Sequence, residues 1–139
     1  MIRILRRSLL QVVAAVVLFV GAGAAELFAG TTEAVAASTN GSSQSVVVYT
    51  LWRLANVNGI PRYVLQPVTV NGTLDTDGRM NLPLVNTIPM GISNMNNYIY
   101  GTTLTGLTSG TAYAVVCEVE SGTAPNNTYS TIQTTYWVE

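Results

Sequence analysis

Histidine is missing from this 139-residue chain, and so is lysine. Without an imidazole there is no ordinary general base near neutral pH, so a nucleophilic triad of the usual kind is excluded. The single cysteine, Cys117, excludes an internal disulfide framework, and with no histidine beside it a zinc-type cluster is excluded too. Charge is also scarce, at 9% of residues and a formal net of −1. Nucleic-acid binding needs clustered positive charge to displace counterions from phosphates, and the six arginines form no such cluster outside the N-terminus. These absences point away from an enzyme and away from a nucleic-acid partner. No glycine-rich phosphate cradle, haem ligand set or other cofactor motif is present, so no cofactor is expected.

What the chain does contain is a long apolar run. Residues 8–29 read SLLQVVAAVVLFVGAGAAELFA, preceded by Arg3, Arg6 and Arg7 and uncharged until Glu26. As a helix rising 1.5 Å per residue the run is roughly 30 Å long, about the thickness of a bilayer's hydrocarbon core. Three readings compete for residues 1–37. A basic start, an apolar core and small residues around Ala34-Val35-Ala36 describe a secretory signal peptide. The same features describe a single-pass span, with the arginines held in the cytoplasm and the rest of the chain outside. They also describe an apolar helix that bundles with copies of itself. Gly21, Ala25 and Ala29 recur every fourth residue, which puts small side chains on one helix face where another helix can approach closely. Glu26 is expected to reach the outer interface, near Thr31, Thr32 and Glu33.

Residues 38–44, Ser-Thr-Asn-Gly-Ser-Ser-Gln, are all polar or glycine and read as a flexible linker. The 95 residues from 45 to 139 suffice for one domain. Here the apolar period becomes two, with strands expected at 45–54, 62–70, 98–104, 111–120 and 128–138. Asn58-Gly59 and Asn71-Gly72 read as turns, and Asp75-Thr76-Asp77-Gly78 as a hairpin turn between Thr73-Leu74 and Met80-Asn81-Leu82. Pro83 and Pro89 bracket an irregular edge segment, because proline cannot donate to a sheet ladder. About seven short strands with no helical pattern among them predict an antiparallel β-sandwich. The stretch before Ser45 supplies no convincing first strand, leaving the sandwich one strand short. A neighbour's strand can fill such a gap.

The run Leu104-Thr105-Gly106-Leu107-Thr108-Ser109-Gly110-Thr111-Ala112-Tyr113-Ala114-Val115 resembles the fibronectin type III signature around its last strands. The resemblance implies an immunoglobulin-like or fibronectin III-like sandwich in which Leu107 plugs the core and Tyr113 bonds back across a corner. Trp52 and Tyr63 are similar in placement to that family's earlier aromatic positions. Alternation directs Tyr113, Val115, Cys117 and Val119 inward and leaves Glu118 and Glu120 in water. The overall layout, a basic leader followed by an apolar helix and a β domain, resembles that of type IV pilins. That likeness implies a filament with the helices inside.

Of the residues able to carry chemistry, Cys117 reads as a small buried core residue. Asp75 and Asp77 before Gly78 share the opening of a calcium loop but lack its later oxygen ligands. Tyr98, Tyr100, Tyr129, Tyr136 and Trp137 are the candidate interface aromatics. Asn40, Asn71 and Asn126 each open an Asn-x-Ser/Thr triplet, the acceptor pattern for N-linked glycans. The expectation is a non-catalytic structural subunit of a larger membrane assembly, with energy-transducing assemblies among the candidates. One helix spans the cell membrane and the β domain makes contacts on the periplasmic or extracellular side. Its partners would be other membrane-spanning subunits, copies of itself and the lipid bilayer. The alternatives are a pilin-like subunit of an extracellular filament and a surface adhesin.

Overall fold

The computed structural model describes residues 31–70, 73–75 and 77–139. The expected apolar helix, with Arg3, Arg6, Arg7 and Glu26 and the small-residue row Gly21, Ala25 and Ala29, lies outside the described residues, as does Asn71. Among the described residues no helix is long and apolar enough to cross a membrane.

The described chain is all β and antiparallel. Strands β1 (Thr31–Gly41), β7 (Leu84–Pro89) and β8 (Asn96–Leu107) form a three-stranded sheet in the order β1-β8-β7. Strands β2 (Val46–Val57), β3 (Ile60–Leu65), β9 (Ala112–Ser121) and β10 (Thr128–Val138) form the path β10-β9-β2-β3, and β6 (Met80–Asn81) joins β2 as the fifth strand. β4 (Val68–Val70) and β5 (Thr73–Asp75) make a separate two-stranded ribbon.

One core joins the two large sheets, the arrangement of a β-sandwich. Val35 and Ala37 of β1 and Tyr98, Tyr100, Leu104 and Leu107 of β8 meet Val47 and Tyr49 of β2, Tyr113, Val115 and Cys117 of β9, and Trp137 of β10. Period-2 alternation explains the choice: Val47, Tyr49 and Leu51 face one way, Tyr113, Val115, Cys117 and Val119 stand opposite them, and the intervening residues face outward. Leu107 is buried, as the plug reading expects. The Tyr113 hydroxyl accepts a 2.8 Å hydrogen bond from the Thr108 backbone N–H, five residues upstream. Tyr113 also stacks on Trp137, with centroids 5.7 Å apart.

Three expectations change. First, β1 occupies the end of the 1–37 segment and the first four residues of the 38–44 linker. It pairs with β8 from Thr31↔Leu107 to Gly41↔Asn96, so a first strand is present in the chain itself. Small and polar residues with weak β propensity are held there by pairing to a strongly patterned neighbour along the strand, interrupted only at a bulge between Thr31 and Glu33. Glu33 stands opposite Leu104 and is buried within the β domain.

Second, the Asp75–Gly78 hairpin is not made. Thr73–Asp75 pairs back on Val68–Val70, whereas Met80–Asn81 leaves to pair with Val48 and Tyr49 of β2. Gly78 is needed where the chain crosses: its φ is +69°, and a Cβ there would lie 2.9 Å from the Leu65 side chain. Third, the expected 62–70 strand is two strands, β3 and β4, with Gln66 and Pro67 between them. The Asn58-Gly59 turn is as expected, with both residues at positive φ closing the β2–β3 hairpin at Val57↔Ile60. The segment between the prolines is an edge strand, β7, every residue of it exposed and its register broken between Leu84 and Asn86.

A candidate contact surface

The outward row of β2 contains Val46, Val48, Thr50, Trp52 and Leu54. By register Trp52 stands beside Ala114 of β9 and Leu65 of β3, and Leu54 stands beside Tyr63. Ala114 in turn stands beside Tyr136 of β10. Because Ala114 has only a methyl group, the two tyrosines can lean across it, and their rings meet at 5.5 Å with a 58° tilt. Ala114 is buried beneath them, while Tyr63, Tyr136 and Leu54 are 37%, 47% and 39% exposed. The Trp52 indole N–H donates to Thr50 Oγ1 at 2.9 Å, which fixes the ring on the sheet and satisfies a buried hydroxyl. The result is a patch of three aromatic rings and a leucine on the outer sheet face.

Further along the same face the chemistry turns polar. Arg79 lies 3.4 Å from Glu118 Oε1, with its guanidinium 3.7 Å above the centre of the Tyr129 ring. The Tyr129 hydroxyl donates to Glu120 Oε1 at 3.3 Å, and Asn127 Nδ2 donates to the same oxygen at 2.6 Å. Loss of hydration, then the nearby Glu120 carboxylate, pushes the Tyr129 phenol above its ordinary value. Glu118 and Glu120 therefore face outward as alternation requires, yet both are only partly exposed and hydrogen-bonded within this network. The network ties β9, β10 and the segment after β5 together and offers no free acid–base pair.

Five aromatics were expected as interface candidates, and the structure divides them. Tyr98, Tyr100 and Trp137 are 7%, 2% and 4% exposed and belong to the core. Their polar atoms are satisfied internally: Asn96 Nδ2 donates to the Tyr98 hydroxyl, Ser45 N–H donates to the Tyr100 hydroxyl, and the Trp137 indole N–H donates to Glu139. Tyr129 and Tyr136 do lie on the outer face. They are seven residues apart, an odd number that strict alternation would send to opposite faces. A bulge between Thr131 and Gln133 restores the phase, so Tyr129 pairs with Glu120 and Tyr136 with Ala114, both outward.

Trp52, Tyr63 and Leu54 are the surface residues that sequence reasoning missed. The signal was available for Trp52, since it lies at odd spacing from the inward Val47, Tyr49 and Leu51. For Tyr63 it depended on the register of β3.

Cys117 is buried at the centre of the core, where burial first and Glu118 second push its thiol up to about 11. Among the described residues no group of three His, Cys, Asp or Glu side chains is placed to hold a metal ion. Asn40 and Asn126 are both exposed. No protein-family profile, curated protein or solved structure matches the chain.

Proposed function

We propose that this protein is a non-catalytic structural subunit that works by contact. The apolar N-terminal segment spans the cell membrane with Arg3, Arg6 and Arg7 inside, and the β domain stands on the outer side. The outer sheet face around Trp52, Tyr63 and Tyr136 is its docking face for a protein neighbour in a membrane assembly. One observation carries the reading: three aromatic rings and Leu54 are grouped on the outer sheet face, with Tyr63, Tyr136 and Leu54 each more than a third exposed. Aromatics of this kind supply large, rigid contact area and dominate the centres of protein interfaces. The Leu107 plug and the Tyr113 corner bond support an immunoglobulin-like or fibronectin III-like sandwich.

The test is extraction of native membranes in mild detergent, followed by size separation. The chain should travel with a defined set of spanning proteins, and Tyr63→Ser combined with Tyr136→Ser should release it while leaving the head folded. Recovery of the wild-type chain as a lone monomer defeats the proposal.

A second reading has its own support. Residues 38–41, read as part of a linker, belong to β1, so by sequence only Gly30 lies between the apolar run 8–29 and the first residue of the strand. So short a spacing suits a filament subunit whose apolar segments bundle inside. Recovery in sheared extracellular fibres, free of lipid, would favour it over the membrane assembly.

A further inference from the structure

The two poles of the sandwich differ. At one pole lie the start of β1, the β8–β9 connection and the C-terminus, because Thr31 pairs with Leu107 and Val138 with Ala112. At the other lie three connections, 42–45, 90–95 and 122–127. The registers Gly41↔Asn96, Pro89↔Asn96 and Thr128↔Ser121, with Val46↔Glu120, bring them to the same end. The segments 40–46, 89–96 and 121–128 that build this far pole contain no Asp, Glu, Lys or Arg. They also expose Val46, Met90 and Ile92, the last at 63%. Glu120, beside Val46 and bonded to Asn127, is the charge that adjoins these segments, and exposed apolar side chains with so little charge around them are poorly protected against association.

Two Asn-x-Ser/Thr triplets fall within this pole. Asn40 ends the outward row of β1, with Ser42 exposed two residues on, and Asn126 sits in the β9–β10 connection, with Thr128 exposed after it. Neither Asn40 nor Asn126 makes a side-chain hydrogen bond among the described residues. Asn86, Asn96 and Asn127 nearby spend theirs on Thr87 N–H, the Tyr98 hydroxyl and Glu120. Asn40 and Asn126 are both exposed and both lie at the end of the domain farthest from Thr31.

We infer that Asn40 and Asn126 are N-glycan acceptors and that the two glycans cover the exposed apolar side chains of the pole facing away from the membrane. In the step implied, the Asn Nδ2 forms a bond to the anomeric carbon of an oligosaccharide carried on a polyisoprenyl diphosphate. The carbon–oxygen bond to that phosphate breaks, the lipid diphosphate leaves with the electron pair, and one amide proton passes to the transferase's base. The proposal rests on the external placement given above, since the donor and its transferase work on that side.

The experiment is intact-mass and glycopeptide analysis of the full-length chain purified from the membranes of its own cells. Sugar is expected on the peptides bearing Asn40 and Asn126, with Asn40→Gln and Asn126→Gln each removing one glycan's mass. The double variant should remain folded but self-associate at concentrations where the wild type does not. Unmodified asparagines at both positions overturn the inference. Protease protection of the β domain in right-side-out vesicles is measured alongside. Unmodified but externally cleavable chains reject the glycans alone, whereas a head on the inner side rejects the placement and the glycans with it.

Discussion

The two faces of the five-stranded sheet carry similar residues and put them to different uses. On the inner face Tyr113 and Trp137 stack, are almost fully buried, and have their polar atoms bonded to Thr108 N–H and Glu139. On the outer face Tyr63 and Tyr136 also meet ring to ring, but over Ala114 and with more than a third of each residue in solvent. An aromatic pair is therefore not a core or a surface feature by composition. What the second sheet covers becomes core, while on the other face Tyr63 and Tyr136 keep part of each side chain in solvent.

The largest effect should come from Trp137→Ala. It removes a 4%-exposed indole from between the sheets and should cost about 3–5 kcal/mol, enough to unfold much of the population in a urea titration. A loss no larger than that of an outer-face variant would erase the distinction between the faces.

Next is Tyr113→Phe, which keeps the ring but leaves the Thr108 N–H without its acceptor. About 1–2 kcal/mol should be lost, read as a shift in the denaturation midpoint with unchanged slope.

Cys117 sharpens the comparison through pH. Its thiol rises to about 11 in the folded chain, against an ordinary value of 9.0. The unfolded chain thus gives up the proton first as pH climbs. This contribution to stability is complete below about pH 9 and is lost as pH rises toward about 11. Cys117→Ala should flatten that part of the pH–stability curve, although its own truncation lowers stability at neutral pH. In the native wild type the thiol should resist alkylation at pH 8 and react on unfolding; rapid native labelling would contradict its burial.

Arg79→Ala should cost only about 0.5–1 kcal/mol, because the guanidinium is partly exposed and part of its attraction to Glu118 and the Tyr129 ring is screened. The cost should shrink in high salt. Smallest for folding is Tyr136→Ser, expected within about 1 kcal/mol of wild type since the ring is half in water. Its measurable consequence should be weaker association with partners in the detergent extract.

Strand β9 was legible residue by residue, since its alternation is uninterrupted and both ends are marked by turn residues. Strand β10 was legible in its limits, Thr128–Val138, but not in its facing, because the bulge at Thr131/Gln133 inverts the phase halfway along. Strand β1 was hidden for a different reason. Its polar half matches a linker in composition, and its pairing to β8 joins residues more than fifty positions apart. The choice of Val68–Val70 over Met80–Asn81 as the partner of Thr73–Asp75 was likewise a matter of competing registers, which local turn chemistry at Asp77-Gly78 did not resolve.

The outer patch was half visible. Tyr136 stood out as an aromatic near the C-terminus, while Trp52 and Tyr63 entered only through their similarity in placement to the earlier aromatic positions of fibronectin type III domains. Tyr98, Tyr100 and Trp137 lie in the core, which residue type alone does not report because it does not say which side of a strand is covered.

By itself the sequence determined the all-β class of residues 45–139, the Asn58-Gly59 turn, the inward row of β9 and the lack of any histidine-based chemistry. These follow from period-2 patterning, turn residues and composition, all of which act within a few residues. The tertiary structure alone decided that Thr31–Gly41 is a strand, that Met80–Asn81 joins β2, and that Tyr129 and Tyr136 share a face. Each of these depends on register between distant segments, where a single-residue slip turns every side chain over, and only the packing of one sheet on the other selects the register that holds.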